Sequence, residues 1–166
     1  MSGTARLQLP LLSTGQAQKE ISVNEGLQAL DILTAGAVEE QPRNDPPATP
    51  EIGACHIIGS SPTGDWTSKP QYVAAFTSGG WRLIPPIEGM ALYVKSNDQW
   101  ATYRSGSWEI GAIRGATVII GGKQVVGNQA AAIADPTGGS VIDTEARAAV
   151  SQLLLALRQH GLIAGE

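Results

Sequence analysis

The chain has 166 residues, of which 16% are charged and 42% are hydrophobic, and its net charge is −4 with an isoelectric point near 5.1. The acidic balance and the scattered Lys and Arg argue against nucleic acid as a partner, because phosphate binding needs clustered basic side chains. A single cysteine, Cys55, excludes an intrachain disulfide, and two histidines give no zinc-type spacing. We therefore expect no metal ion and no cofactor.

The N-terminal sequence and the hydropathy indicate where the protein is made. The start Met1–Arg6 lacks the apolar stretch of a signal peptide, and no window approaches the roughly 18 apolar residues of a membrane span. We expect a product made in the cytoplasm that does not insert into a membrane. The share of charged residues, 16%, is low beside about 25% in typical soluble domains, which favours a protein that packs into assemblies.

The first 40 residues predict an anchor segment followed by a helix. Residues 7–12 are apolar but contain Pro10, so they cannot continue as a helix. Ser22 and Glu25 have the spacing of a capping box. Apolar residues then recur at near-helical spacing, at Val23, Leu27, Leu30, Leu33 and Val38. The sequence therefore predicts a helix from about residue 23 to residue 38 and, over residues 41–52, a Pro-rich extended linker.

Residues 53–112 contain all four Trp, all three Tyr and the only Phe. Short runs rich in aromatic and β-branched residues are separated there by Gly, Pro, Asn and Asp, and these runs are residues 55–58, 72–76, 81–84, 91–94, 100–103 and 107–110. Such a pattern is typical of antiparallel strands joined by short turns. We expect a small antiparallel β meander or barrel between two helices, which makes the chain an α+β protein.

Aromatic residues of this region are the candidates for ligand binding: Trp66, Tyr93, Trp100, Tyr103 and Trp108. Side chains alternate between the two faces of a strand, so several of these rings can share one face. Exposed rings would form a sugar-stacking surface, whereas the alternative is that the rings are the core of a small β domain. Polar residues that could bind sugar hydroxyls lie nearby in sequence, at Asp65, Asn97, Asp98 and Gln99.

Residues 113–166 predict a β-hairpin and a C-terminal amphipathic helix. Two β-branched runs flank Gly121-Gly122. Asp143 has the position and chemistry of a helix N-cap, and Gly161 that of a C-terminal stop. One helix face is apolar and is the candidate oligomerisation surface: Val150, Leu153, Leu154 and Leu157. The alternative is that this face packs on the β domain of its own chain; we favour a ring of copies, a trimer or a pentamer.

Short motifs carry a resemblance to a known family. They are Leu9-Pro10-Leu11-Leu12, Gly15-Gln16-Ala17-Gln18-Lys19-Glu20, Asn24-Glu25, Leu30-Asp31, Gly64-Asp65-Trp66 and Gly79-Gly80-Trp81. With them the chain resembles a domain-of-unknown-function family found in tailed phages, prophages and gene transfer agents, for which no catalytic residues are assigned. The C-terminal segment also resembles the ends of phage fibre and spike proteins, through residues 125–127, 132–135, 138–139, 143, 145–149 and 160–163.

The resemblance implies a structural virion protein on the surface of a phage-like particle, made in the bacterial cytoplasm. A head spike or fibre is the first expectation, and a tail fibre or an adaptor without receptor contact is the second. The implied partners are further copies of the chain, the capsid or other spike and fibre proteins, and host-surface polysaccharide.

The residues themselves form no known catalytic motif. There is no Gly-x-Ser-x-Gly elbow, no His-Glu-x-x-His and no phosphate-binding loop. His56 lies in an apolar run and His160 at a helix end, so neither has the setting of a general base. We therefore expect no enzymatic activity, and a surface-polysaccharide hydrolase is the less favoured alternative.

Overall fold

A computed structural model of the chain describes residues 3–13, 15, 19–141 and 143–165. The chain divides into two compact units, Met1–Ala112 and Ile113–Glu166. The first contains helix α1 (Lys19–Thr34), a short 3₁₀ helix (Gly64–Trp66) and the strands β1 (Ala37–Val38), β2 (Cys55–Ile57), β3 (Val73–Thr77), β4 (Gly80–Ile84), β5 (Ala91–Val94), β6 (Gln99–Arg104) and β7 (Ser107–Ile110). The second contains β8 (Val118–Ile120), β9 (Lys123–Val126) and helix α2 (Thr144–Gln159). The α+β class is confirmed.

The strands of the first unit form two sheets. The front sheet has the order β1-β5-β6-β7, with β1 parallel to β5 and the other pairs antiparallel. The back sheet has the order β2-β3-β4 and is antiparallel. Each apolar run predicted between residues 55 and 110 forms one strand, because turn residues separate the runs. Ser105 and Gly106, for example, have φ angles of 48° and 86°, as a two-residue hairpin turn requires.

The main hydrophobic core joins both sheets and helix α1. Its fully or nearly buried members are Ile32 from α1, Val38, Leu92, Val94 and Ala101 from the front sheet, and Cys55, Ile57, Val73 and Ala75 from the back sheet. The strand residues recur at every second position, since successive side chains point to opposite faces of a sheet. One face of each sheet is therefore committed to this core.

The first turn of helix α1 lies earlier in the sequence than predicted. The helix begins at Lys19, whereas the spacing of Ser22 and Glu25 predicts a start near residue 23. Both residues lie inside the helix, so they do not form its N-cap. The family motif before the helix includes Gln16 to Gln18, which lie outside the described residues.

The helix also ends earlier than predicted, at Thr34 rather than near Val38. Ala37 and Val38 instead form β1, because they pair with β5, and the Tyr93 amide donates to the Gly36 carbonyl at 2.8 Å. Val38 is fully buried in the main core. Pairing with a distant strand thus replaces the last predicted helical turn.

The N-terminal segment is bound to α1 by the buried carboxylate of Asp31. Asp31 is 3% exposed, and the Thr4 hydroxyl donates to its Oδ1 at 2.7 Å. The amides of Arg6 and Leu7 donate to the same carboxylate at 3.0 and 2.5 Å. A buried carboxylate is costly without such donors, so these bonds select one conformation for the segment.

A second polar side chain of α1 binds the same segment. Asn24 accepts a hydrogen bond from the Leu12 amide at 2.8 Å and donates one to the Leu12 carbonyl at 3.0 Å. Asn24 and Asp31 are about two helical turns apart and therefore lie on one face of α1. The apolar lead-in of residues 7–12 follows this face.

The Pro-rich segment of residues 41–52 contains several bends and is hydrogen-bonded to the back sheet at Arg43. The Arg43 amide donates to the Ile57 carbonyl at 3.1 Å, and the Gly59 amide donates to the Arg43 carbonyl at 2.7 Å. These bonds place the start of the segment beside β2, within the first unit. The segment is therefore an added edge of the β domain as well as a connection.

The second unit contains the predicted hairpin and helix. Strands β8 and β9 pair around Gly121 and Gly122, whose φ angles are 55° and 76°. Asp143 is the N-cap of α2, because its Oδ1 accepts from the Ala146 amide at 2.8 Å. Gly161, with a φ angle of 70°, follows the C-cap. The predicted start and stop of the helix are both confirmed.

The chain segments on either side of α2 are joined within this unit. The Ala130 amide donates to the Leu162 carbonyl at 2.9 Å, and the Ala164 amide donates to the Ala130 carbonyl at 2.8 Å. Arg158 donates to the Ile133 carbonyl at 2.5 Å. Backbone contacts rather than a large apolar core thus hold the described part of this unit together.

Replacing Asp31 with Ala should lower the free energy of unfolding by about 3 kcal/mol, because buried donors lose their charged acceptor. The matched control is Glu25→Ala, at an exposed position of the same helix, which should change stability by less than about 0.5 kcal/mol. Denaturant unfolding followed by Trp fluorescence measures both. Equal effects of the two substitutions would contradict the role given to Asp31.

Candidate functional site

The aromatic residues predicted to form one ligand surface lie in three separate places: one is in a buried cluster, and two pairs lie on opposite faces of the front sheet. Trp66 is fully buried, Trp100 is 57% exposed, and the others are half-buried. Tyr93 is paired with Trp100 across β5 and β6, and Tyr103 with Trp108 across β6 and β7. Because Trp100 and Tyr103 are an odd number of positions apart on β6, the two pairs lie on opposite faces of the front sheet.

Trp66 belongs to a second core on the side of the back sheet that faces away from the main core. Its ring centroid lies 5.0 Å from that of Trp81 and 5.8 Å from that of His56. Ile58 and Ala74 are the other buried members of this cluster. No face of the Trp66 ring is open to a sugar, so Trp66 is removed from the candidate ligand site.

Tyr103 and Trp108 lie on the core side of the front sheet. Their rings meet edge to face with centroids 5.3 Å apart. The Trp108 indole donates to the Gln71 carbonyl at 2.8 Å, and its ring packs against the main core. The polar edge and one side of Trp108 are thus already occupied, and this pair supports the sheet.

Tyr93 and Trp100 lie on the opposite, outward side of the front sheet. Their ring centroids are 5.8 Å apart in an edge-to-face contact. The Tyr93 hydroxyl donates to Asp98 Oδ1 at 2.6 Å. This bond raises the pKa of Tyr93, because ionisation would break it and place two negative charges together. Asp98 occupies the turn between β5 and β6 with a φ angle of 55°, in the left-handed region that Asp adopts more readily than most residues.

Polar side chains extend this surface along β6 and β7. Thr102 is two positions from Trp100 and therefore lies on the same side, opposite Glu109 of β7. Arg104 Nε lies 3.8 Å from Glu109 Oε2. We name the set Tyr93, Asp98, Trp100, Thr102 and Glu109 the outer aromatic face. One exposed indole next to hydroxyl and carboxylate groups can stack on the apolar side of a sugar ring and bind its hydroxyls.

Of the polar residues named from the sequence, Asp98 belongs to this face. Asn97 and Gln99 instead hydrogen-bond to each other at 3.0 Å. Asp65 lies in the 3₁₀ helix beside the buried Trp66. Thr102 and Glu109 were not predicted as members of this face, because their positions depend on the register between β6 and β7. Thr102 could have been predicted, since alternate residues of a strand share a face and Thr102 is two positions after Trp100.

The apolar residues predicted for oligomerisation are also divided. Val150, Leu153 and Leu157 are 42%, 65% and 36% exposed, whereas Leu154 is 7% exposed. Leu154 is therefore removed from the set. The other three are spaced by three and four residues, as are the a and d positions of a coiled coil. We call them the α2 seam.

The groups that could carry chemistry are buried or dispersed. Among the described residues, no three His, Cys, Asp or Glu side chains lie together as metal ligands. Burial raises the pKa of the Cys55 thiol to about 11, so it is protonated and unreactive at neutral pH. His56 is 4% exposed, and its ring packs beside those of Trp66 and Trp81, with centroids 5.8 and 6.0 Å away. None of the helices in the described ranges is long and apolar enough to cross a membrane.

The fold and the outer aromatic face define a small α+β domain that presents an aromatic surface on a sheet. A family model matches residues 23–109, just over half of the chain, so the protein belongs to the family described as Protein of unknown function (DUF2793). The match covers β1 to β6, most of α1 and β7, and the whole outer aromatic face; the second unit follows it. No curated protein matches the chain.

Acidification should destabilise the first unit through His56. Burial lowers the pKa of His56 from its ordinary value of 6.5, although Glu40, with Oε1 3.7 Å from Nδ1, opposes the shift. The unfolded chain therefore takes up a proton more readily than the folded one. This group leaves stability unchanged above about pH 6.5, and stability falls as the pH drops from there through the folded pKa.

The measurement is the unfolding midpoint of the wild type, His56→Gln and His160→Gln between about pH 5 and pH 8. His56→Gln should flatten the fall in stability below about pH 6.5, whereas His160→Gln, at the end of α2, should keep it. An identical pH profile for the wild type and His56→Gln would contradict the assignment.

Proposed function

We propose that this chain is a structural, non-catalytic protein of a phage-like particle and that it binds host-surface polysaccharide. The observation that carries the proposal is the exposure of Trp100, 57%, beside the hydrogen-bonded pair of Tyr93 and Asp98. In this proposal the copies of the chain assemble through the α2 seam, and the first unit supplies the outer aromatic face to the sugar.

The chemistry of the outer aromatic face supports a sugar as the ligand. The flat indole of Trp100 offers a large apolar surface, which the C–H side of a sugar ring can cover. Asp98 and Thr102 are an acceptor and a hydroxyl at its side, and such groups bind sugar hydroxyls. β6 is hydrogen-bonded on both edges, so the ring is fixed before binding and little conformational entropy is lost.

The exposed apolar residues of the second unit support self-association. Burying a large apolar side chain contributes about 1.5–3 kcal/mol, yet the α2 seam is open to solvent. Apolar residues of β8 and β9 are also more than two-fifths exposed: Val118, Ile119, Ile120, Val125 and Val126. Further copies of the chain would cover these residues, and homo-oligomers close by rotational symmetry. A trimer or a pentamer is the proposed state.

The resemblance of residues 9–31 and 64–81 to proteins of tailed phages and gene transfer agents supports placing the chain on such a particle. A head spike or fibre is the first proposal for its position, with a tail fibre as the second. The partners proposed there are the capsid or other spike and fibre proteins. The alternative function, an adaptor without receptor contact, differs from this proposal in one respect: Trp100 would then bind no ligand.

Trp100→Ala should weaken binding to bacterial surface polysaccharides by about tenfold or more, because the stacking surface is lost. The measurement is an array of purified capsular and cell-surface polysaccharides probed with the labelled full chain. The matched control is Ile87→Ala, which removes a 67% exposed side chain before β5. Equal binding by the wild type and both variants would reject the outer aromatic face as the site. Binding by none of them would favour the adaptor.

Leu153→Lys should lower the mass of the purified protein in solution to that of one chain, 17.3 kDa, because a charge cannot be buried in an apolar seam. Ala148→Lys is the control, since it adds the same charge at an exposed position of α2 off the seam. Light scattering at several concentrations gives the masses. A wild-type mass of 17.3 kDa at every concentration would contradict self-association.

A further inference from the structure

Four charged residues on and beside the front sheet form two pairs of opposite charge. Lys95 Nζ lies 2.7 Å from Glu39 Oε1, next to the ends of β5 and β1. Arg104 Nε lies 3.8 Å from Glu109 Oε2, on β6 and β7. Opposite charges at these distances largely cancel for a ligand that approaches the sheet. The two pairs are therefore close to neutral.

Asp98 is the carboxylate of the outer aromatic face that lies outside both pairs. Its Oδ1 accepts the hydrogen bond of the Tyr93 hydroxyl at 2.6 Å, and a hydroxyl carries no charge that could balance the carboxylate. Asp98 is exposed, and no described residue donates to its Oδ2. The outer aromatic face thus presents one unbalanced negative charge with a free acceptor oxygen.

Tyr93 places this charge next to the exposed indole of Trp100. Its hydroxyl holds Asp98, and its ring meets that of Trp100 edge to face with centroids 5.8 Å apart. A carboxylate beside an exposed aromatic ring suits an ammonium group, because the carboxylate and the electron-rich face of the ring both attract a cation. An anionic ligand would be repelled by the same carboxylate.

The net charge of the first unit favours the same kind of ligand. Residues 1–112 contain seven Lys and Arg and eleven Asp and Glu, so they carry the whole net charge of −4 of the chain. Such a surface attracts cationic ligands and repels polyanions over distances longer than a direct contact. The local charge at Asp98 and the charge of the whole unit thus have the same sign.

We propose that the outer aromatic face binds amino sugars whose nitrogen is free rather than acetylated, so that each sugar unit carries an ammonium group. The inference rests on the proposed function and names the class of polysaccharide. The sugar ring stacks on Trp100, and its ammonium group donates to Asp98. Polysaccharides of uronic acids are poor ligands, because their carboxylates meet the carboxylate of Asp98.

Three tetrasaccharides separate the effect of the cation from that of stacking. They are the tetramers of glucose, N-acetylglucosamine and glucosamine that share the linkage of cellulose, and they differ in one substituent of each ring: a hydroxyl, an acetamide or an ammonium group. The full chain is titrated with each in mildly acidic buffer, which keeps the amines protonated, and the indole N–H resonances of its four Trp are followed by NMR.

The Trp100 resonance, identified as the one missing from Trp100→Ala, should shift in a saturable way. The glucosamine tetramer should bind about fivefold or more tightly than either neutral tetramer, because the ammonium group adds an ion pair and a cation–π contact. Equal affinity for all three tetramers would overturn the ammonium group and leave the proposed function standing.

Asp98→Asn should reduce the affinity for the glucosamine tetramer to that for the glucose tetramer and leave both neutral tetramers unchanged. The asparagine oxygen can still accept from the Tyr93 hydroxyl, so the aromatic pair is kept. The matched control is Asp65→Asn, which removes the same charge from the exposed side of the 3₁₀ helix and should change none of the affinities. An equal loss for all three tetramers in Asp98→Asn would show a structural role and overturn the proposal.

Choline chloride tests whether the cation must be carried by a sugar. Choline has a positive charge but no ring to stack, so it should bind about fivefold or more weakly than the glucosamine tetramer. Choline binding as tight as that of the tetramer would overturn the sugar as the carrier. No shift of the Trp100 resonance with the glucosamine tetramer would overturn this inference, whereas the proposed function is rejected only if the polysaccharide array is also negative.

Discussion

The buried carboxylate of Asp31 is the interaction on which the first unit depends. A charge that is 3% exposed is tolerated only because the Thr4 hydroxyl and two backbone amides donate to it. These donors belong to the N-terminal segment, so the segment is fixed on α1. Arg6 is thereby placed where its guanidinium binds the Ala37 carbonyl of β1 at 2.9 Å. One carboxylate thus connects the N-terminal segment, α1 and the front sheet.

The strands of the β domain could be predicted from the sequence, whereas the ends of α1 could not. Alternating apolar runs and turn residues are local signals, and each run became a strand. The end of α1 was decided by a partner far along the chain, since Ala37 and Val38 pair with Tyr93 and Val94. Local spacing favoured a helix there, and the gain from burying Val38 in a sheet outweighed it.

The difference between local signals and long-range pairing also explains which aromatic residues were predicted correctly. Trp66 and Trp100 both lie near turns, and no local feature separates the buried ring from the exposed one. Their fates follow from strand register and from what covers each face of a sheet, which are properties of the whole domain. Sequence reasoning therefore identified the outer pair, Tyr93 and Trp100, but it combined them with rings that support the core.

Polar residues of the helices divide in a similar way. Asp143 and Gly161 act on neighbouring backbone, so their capping roles were predictable. Asn24 and Asp31 bind the Leu12 and Arg6 backbone, and an amphipathic pattern assigns such residues to solvent. Asn24 and Asp31 are about two helical turns apart and so share one face of α1, and this spacing was the sequence signal for their common role. The α2 seam would be covered by other chains in the proposed oligomer, and a single sequence does not specify such contacts.

We propose that the first unit is stable within one chain, whereas α2 gains its stability from other copies. Hydrogen exchange of the full chain, measured by mass spectrometry over a wide range of protein concentrations, tests this directly. We predict that amides of β3 to β7 are equally protected at all concentrations and that amides of residues 144–159 become protected only as oligomers form. Full protection of residues 144–159 in the monomer, at the lowest concentration, would contradict the account.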